Sequence, residues 1–165
     1  MKKIAQFIIC STAALFLFTG CSSYGSIQED ETRYSAQFAY SANDYQMYIN
    51  REIEPITNIL SSNMLLARNV VNGEYPVEDA LNSAKEGLRV IQECKSAIDV
   101  MQPPDVYSEN RLEVLRTVGN AENTMEAYIA ELEKSELDSN RILALADVMK
   151  SDFIALTGQF QVIWK

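Results

Sequence analysis

No histidine occurs anywhere in this chain of 165 residues. Its absence removes the commonest general base, the commonest metal ligand, and every Ser-His or Cys-His nucleophile arrangement. It also removes the Glu-x-x-His pairs on which di-metal carboxylate bundles rely. Cysteine is scarce: Cys10, Cys21 and Cys94 form no CxxC pair, which excludes thioredoxin-type chemistry, zinc knuckles and c-type haem attachment. Neither a P-loop nor a GxGxxG run is present. Six glycines and four prolines suit long regular elements better than a turn-rich β protein.

What is present is globular in character. Hydrophobic residues make up 47% of the chain, and its length suits one domain with a real core. The first twenty residues stand apart. Lys2 and Lys3 form a short basic start, and Ile4 to Phe18 is an uncharged, mostly apolar run. Fifteen residues are short for a membrane-spanning helix, which needs about 20, but suit a secretory signal.

That run leads into Phe18-Thr19-Gly20-Cys21, which resembles the lipobox of bacterial lipoproteins: an apolar residue, a small residue, Gly or Ala, then Cys. Phe18 departs mildly from the usual Leu. The resemblance covers about 21 residues and implies that the Cys21 thiol receives a diacylglycerol, with cleavage just before it. It divides the chain into a signal peptide over 1–20, a lipidated Cys21 with a tether over 21–29, and a single helical-bundle domain over 30–165. The alternative is an ordinary signal peptide with an incidental cysteine. With Cys10 removed and Cys21 acylated, only Cys94 is left, so no intramolecular disulfide is expected and stability must come from the core.

The same reading implies attachment to the outer face of the cytoplasmic membrane. If the cell has an outer membrane, Ser22 in place of Asp after the lipid site sends the protein there. Loss of Lys2 and Lys3 leaves 12 basic and 23 acidic residues, a net charge of −11. That balance argues against nucleic acid and against lying flat on an anionic bilayer, since both need basic patches.

Beyond the tether "SSYGSIQE" the apolar periodicity is helical throughout. The first stripe is Phe38, Ala42, Tyr45, Ile49, Ile53, Ile56, Leu60, Met64, Ala67 and Val71, a mean spacing of 3.67. Pro55 lies inside it, which predicts a kink or break near Glu54, and Asn72-Gly73 predicts a left-handed C-terminal cap. A helix over 30–72 would reach about 60 Å, against about 40 Å for the second and fourth, so it must bend or overhang.

The second helix starts at Pro76, taken as the first helical position, with Glu78 and Asp79 at the positive end of its dipole. Its stripe is Val77, Leu81, Ala84, Leu88, Ile91, Cys94, Ile98 and Met101, ended by Pro103-Pro104. The third carries Val114, Val118, Ala121, Met125, Tyr128, Ile129 and Leu132, after a start marked by Asp105 and Glu109. The fourth, capped by Ser135 or Ser139, carries Ile142, Leu145, Met149, Phe153, Leu156, Phe160 and Ile163. Four such helices with short links predict an all-α, antiparallel four-helix bundle, up-down-up-down, with a long Pro55-kinked first helix. The stretch Pro103-Pro104…Tyr107…Leu112 is similar to helix-start segments of uncharacterised helical-bundle lipoproteins, a likeness of ten residues that carries no activity.

Candidate chemistry is sparse. Cys94, on an apolar stripe, reads as a buried structural thiol. Glu122, Glu126 and Glu133 share one side of the third helix and read as a solvated acidic face rather than a Ca²⁺ or Mg²⁺ site, because no calcium-type loop accompanies them. Glu52 and Glu54 flank Pro55 and read as exposed charges. Five of the eight tyrosines precede residue 50. Tyr40 and Met47 are seven apart and point away from the core stripe, beside Asn43, Asn50 and Arg51. Tyr, Met and Arg are enriched at interfaces, so Tyr40, Met47 and Arg51 form a candidate partner-binding face, weighed against ordinary scattered surface aromatics.

These readings imply no enzyme, no cofactor and no metal. The expected role is a membrane-anchored binding or scaffolding module with an envelope protein partner. The alternative is a ligand-sensing or ion-binding bundle with a pocket between helices, motivated by Met and Tyr near Pro55.

Overall fold

A computed structural model describes residues 41–160, and these form four α-helices that pack against one another. They are α1 (Ala42–Val71), α2 (Val77–Asp99), α3 (Ser108–Leu132) and α4 (Ser139–Thr157), with a single 3₁₀ turn at Asp105–Tyr107 leading into α3. No strand occurs among the described residues. Helix α1 packs on α2 and α4, and α3 packs on the same two, so α1 and α3 meet only slightly across the centre.

Local chemistry sets each boundary. Ser41 is extended and caps α1: its Oγ accepts from the Asp44 amide at 3.2 Å and donates to Asp44 Oδ2 at 2.6 Å. Capping of this kind contributes about 1 kcal/mol. The cap corrects the expected start near residue 30. The helix begins at Ala42, and Phe38 lies outside the described residues. At its other end Gly73 takes φ +72°, as the Asn72-Gly73 pair predicted. The Gly73 amide donates to the Val70 carbonyl and the Glu74 amide to that of Asn69, closing a Schellman motif.

Helix α1 runs unbroken through Pro55, which excludes the expected break. At about 1.5 Å per residue its 30 residues span about 45 Å, against about 35, 38 and 29 Å for α2, α3 and α4. It exceeds α2 by about 10 Å and α4 by about 16 Å, against about 20 Å implied by a start at residue 30.

Two further starts differ by a position or more from the sequence reading. Pro76 is the extended residue before α2, its carbonyl accepting from the Ala80 amide, rather than the first helical residue. Asp138, not Ser135 or Ser139, caps α4, with Oδ1 accepting from the Arg141 amide at 3.1 Å. A carboxylate outperforms a neighbouring serine here because it also meets the positive end of the helix dipole.

Most of the predicted stripe positions form the core, but Ala42, in the first turn of α1, and Phe160, beyond the end of α4, are exposed. Tyr45, Ile49, Ile53, Ile56 and Leu60 of α1 are fully buried, as are Ile91 and Ile98, Val114, Val118, Met125 and Tyr128, and Met149 and Leu156. Each such side chain contributes about 1.5–3 kcal/mol by leaving water. Cys94 is buried on the α2 stripe, as expected. Helices α1 and α2 pack tightly at Gly87: a methyl group built there would meet Ile59 Cγ2 at 2.7 Å. Glycine is required at this position by contact, not by backbone conformation.

Candidate functional site

Polar and aromatic side chains gather where the start of α1 meets the link between α2 and α3. Tyr45, on the inner face of α1, is fully buried, and its hydroxyl donates to Asn110 Oδ1 of α3 at 3.0 Å. Its ring packs on that of Tyr107 with centroids 5.0 Å apart and planes tilted by 32°, an offset arrangement that aromatic quadrupoles favour. The neighbouring Gln46 Nε2 donates to the Tyr107 hydroxyl at 2.6 Å. From α3, Arg111 donates through one terminal nitrogen to the Asp99 carbonyl at 2.7 Å, tying down the end of α2. The same nitrogen lies 3.6 Å from Asp99 Oδ1.

Burial pushes the Tyr45 phenol up to about 12; the Arg111 charge opposes this and Tyr107 adds slightly to it. Tyr45 is therefore a neutral hydrogen-bond donor at any physiological pH. Together these contacts fix the link Val100–Tyr107 to α1, leaving three apolar side chains in water: Val100, 47% exposed, Val106, 82%, and Leu112, 60%.

The residues singled out in the sequence fall in different places. Cys21 and Tyr40 lie outside the described residues. Met47 is exposed, next in the chain to Gln46. Arg51, one turn further along α1, stacks over the Tyr48 ring at 4.8 Å and bonds to Glu52 at 3.3 Å, so its charge is already engaged within its own helix. Glu52 itself is a correction: it is 3% exposed, not an exposed charge flanking Pro55, whereas Glu54 is exposed as expected. Glu52 follows Ile49 by three residues and precedes Ile56 by four, which turns it inward.

The acidic side of α3 is partly neutralised by α2. Lys95 pairs with Glu122, Lys85 with Glu133 at 2.6 Å, and Glu126 is exposed. Among the described residues no group of three or more Cys, Asp or Glu side chains is placed to hold a metal ion.

A second polar group lies inside the bundle. Thr124 Oγ1 of α3 stands 2.6 Å from Asp152 Oδ2 of α4 and 3.0 Å from the Asn120 carbonyl. The Thr124 hydroxyl proton is shared between these two acceptors. Thr124 donates to the Asp152 carboxylate and so links α3 to α4 inside the bundle. Burial pushes the Asp152 carboxyl up, against the opposing pull of the Thr124 bond. Asn63 of α1 donates to the Ile59 carbonyl at 3.0 Å, while its Oδ1 is buried without a partner, as is the Tyr128 hydroxyl. Burial alone pushes the Tyr128 phenol up to about 12. Near the end of α3, buried Glu131 accepts from Lys134 Nζ at 2.6 Å and from the Asp138 amide at 3.3 Å. The Lys134 bond holds its carboxyl below the usual range.

Comparison with protein-family models, curated proteins and solved structures finds no match to this chain. No helix among the described residues is long and apolar enough to cross a membrane.

The sequence reading did not reach Gln46, Asn110, Thr124 or Asp152, and it named Tyr107 only within a helix-start segment. A usable signal existed for some of them. Asp152 falls three residues after Met149 and four before Leu156, inside the apolar rhythm of α4. Nothing local foretold the Tyr45–Asn110 pair, whose partners are 65 residues apart.

Proposed function

We propose that this chain is a lipid-anchored, extracytoplasmic binding or scaffolding protein, held to its membrane through Cys21 and carrying no catalytic machinery. The observation that carries the reading is Phe18-Thr19-Gly20-Cys21 at the end of the uncharged run Ile4 to Phe18. Two or more acyl chains, at about 0.8 kcal/mol per buried CH₂, anchor a protein stably without any basic patch. The acidic balance of the chain is compatible with that mode of attachment and opposes binding to nucleic acid. The location is the outer face of the cytoplasmic membrane, or an outer membrane where one exists. A binding role is favoured over catalysis because histidine is absent and the buried tyrosines are held in their neutral form.

The finer architecture within this proposal is an antiparallel, up-down-up-down bundle with a bend in α1 at Pro55. Short links between successive helices support it, as do the pairings of Lys85 with Glu133 and of Arg111 with Asp99. The bend is supported by the missing amide of Pro55, which leaves the Arg51 carbonyl without its helical donor. An envelope protein is the expected partner, with Tyr40, Met47 and Arg51 as candidate contact residues.

Replacement of Cys21 by Ala tests the anchoring. The variant is expected to keep its leader or to leave the membrane fraction, and globomycin, an inhibitor of lipoprotein signal peptidase, to produce unprocessed protein. Unchanged processing and membrane association in both experiments would refute it.

A further inference from the structure

The link between α2 and α3 places apolar side chains in water while being pinned from beneath. Val106 is 82% exposed in the 3₁₀ turn, with Val100 before it and Leu112 after it. The turn cannot drift, because Tyr107 is stacked on Tyr45 and accepts from Gln46, and Arg111 holds the Asp99 carbonyl. Pro103 and Pro104 restrict the backbone before it. An apolar patch held rigid in this way has already met the ordering cost of a complex.

The charges around the patch indicate what it receives. Asp105 precedes Val106, and Glu109 lies three residues before Leu112; both are exposed and neither is in an ion pair among the described residues. The nearby cation, Arg111, is only 23% exposed and is directed at Asp99. Exposed apolar groups interleaved with unpaired carboxylates repel an anionic lipid surface and disfavour a second copy of the same acidic chain.

We propose that the surface formed by Val100, Val106 and Leu112 with Asp105 and Glu109 docks a basic, amphipathic segment of a partner protein. Apolar side chains of that segment cover the two valines and the leucine, and its Lys or Arg residues meet the two carboxylates. This deepens the binding role proposed above and rests on it.

The test uses the full chain in mild detergent, so that it is read independently of processing at Cys21. The probe is a fluorescein-labelled Lys/Leu amphipathic peptide, with its Glu/Leu counterpart as control, followed by anisotropy. The Lys/Leu peptide is expected to bind and the Glu/Leu peptide not to. Val106→Asp is the deciding variant, because it adds a negative charge. Plain electrostatic attraction predicts tighter binding to it, whereas docking on the patch predicts binding weaker by about tenfold or more. Val106 is exposed enough for the variant to fold, and an unchanged thermal midpoint verifies this. The double variant Asp105→Asn, Glu109→Gln is expected to weaken binding and flatten its salt dependence. Equal or tighter binding to Val106→Asp, or no binding to the wild type, would overturn the proposal. So would finding that Val106→Asp abolishes flotation with phosphatidylethanolamine/phosphatidylglycerol vesicles, or dissociates a dimer in sedimentation, with peptide binding unaltered. Those two results assign the patch to lipid or to self-association.

Discussion

Gly87→Ala is the sharpest probe of how α1 and α2 fit together. In an isolated helix this change is favourable, since alanine exceeds glycine by about 1 kcal/mol in propensity. A buried methyl adds up to about 0.8 kcal/mol more. Here the added Cβ would stand 2.7 Å from Ile59 Cγ2, about 1 Å inside an ordinary carbon–carbon contact. That methyl is attached directly to the branched Cβ of Ile59 and cannot swing aside without an off-rotamer χ1, so the helices must separate locally. Overpacking costs up to about 3 kcal/mol, and with a rigid methyl at this distance the upper end applies, outweighing the gain by about 1 kcal/mol. We expect Gly87→Ala to lower stability by about 1 kcal/mol in urea unfolding. Ile59→Ala removes the obstructing methyl. In that background Gly87→Ala should become stabilising by about 1 kcal/mol, a coupling of about 2 kcal/mol across the cycle. If Gly87→Ala stabilised the wild type as much as the Ile59→Ala variant, the close approach would be wrong.

Three further expectations concern buried polar groups. Asp152 is raised by burial, so its unfolded form ionises first as pH rises and the folded state carries a growing penalty above the ordinary carboxylate range. Asp152→Asn should therefore stabilise the protein at neutral pH and lose that advantage at about pH 2.5, where the aspartate is protonated in both states; equal destabilisation at both pH values would contradict the burial penalty on the Asp152 carboxylate. Tyr45→Phe keeps the ring but leaves Asn110 Oδ1 without its donor, and should cost about 0.5–1.5 kcal/mol in urea unfolding. Both Tyr45 and Tyr128 are pushed up to about 12, so stability should fall as pH rises from the ordinary tyrosine range towards that value. A spectroscopic titration finding either phenol ionised near pH 10 in the folded protein would refute it.

The apolar skeleton of the bundle was legible in the chain because hydrophobic side chains at 3.6-residue spacing have one efficient way to leave water. What escaped was the polar part of the same lattice. Glu52 completes Tyr45-Ile49-Glu52-Ile56, Asn63 completes Ile56-Leu60-Asn63-Ala67, and Asp152 completes Leu145-Met149-Asp152-Leu156. Gly87 sits likewise in Ala80-Ala84-Gly87-Ile91. Each falls on the inward 4-3-4 rhythm, yet a reading that follows hydrophobicity alone steps over it to the next apolar residue. Glu52 was placed outside for that reason. Helix starts failed differently: Asp138 and two serines compete within five residues, and only the three-dimensional path decides which one meets the first free amides. The Tyr45–Tyr107–Asn110 group was beyond reach because its members come from distant segments, joined only once the helices pack.

The burial of Cys94 gives the bundle a built-in clock. Its thiol, 6% exposed on the inner side of α2, can meet a dissolved disulfide reagent only when that helix lifts from its neighbours. Where reclosing outpaces the reagent, the labelling rate measures the opening equilibrium; at high reagent it measures the opening rate itself. This native cysteine thus reports how often the interior is breached, with no residue introduced for the purpose.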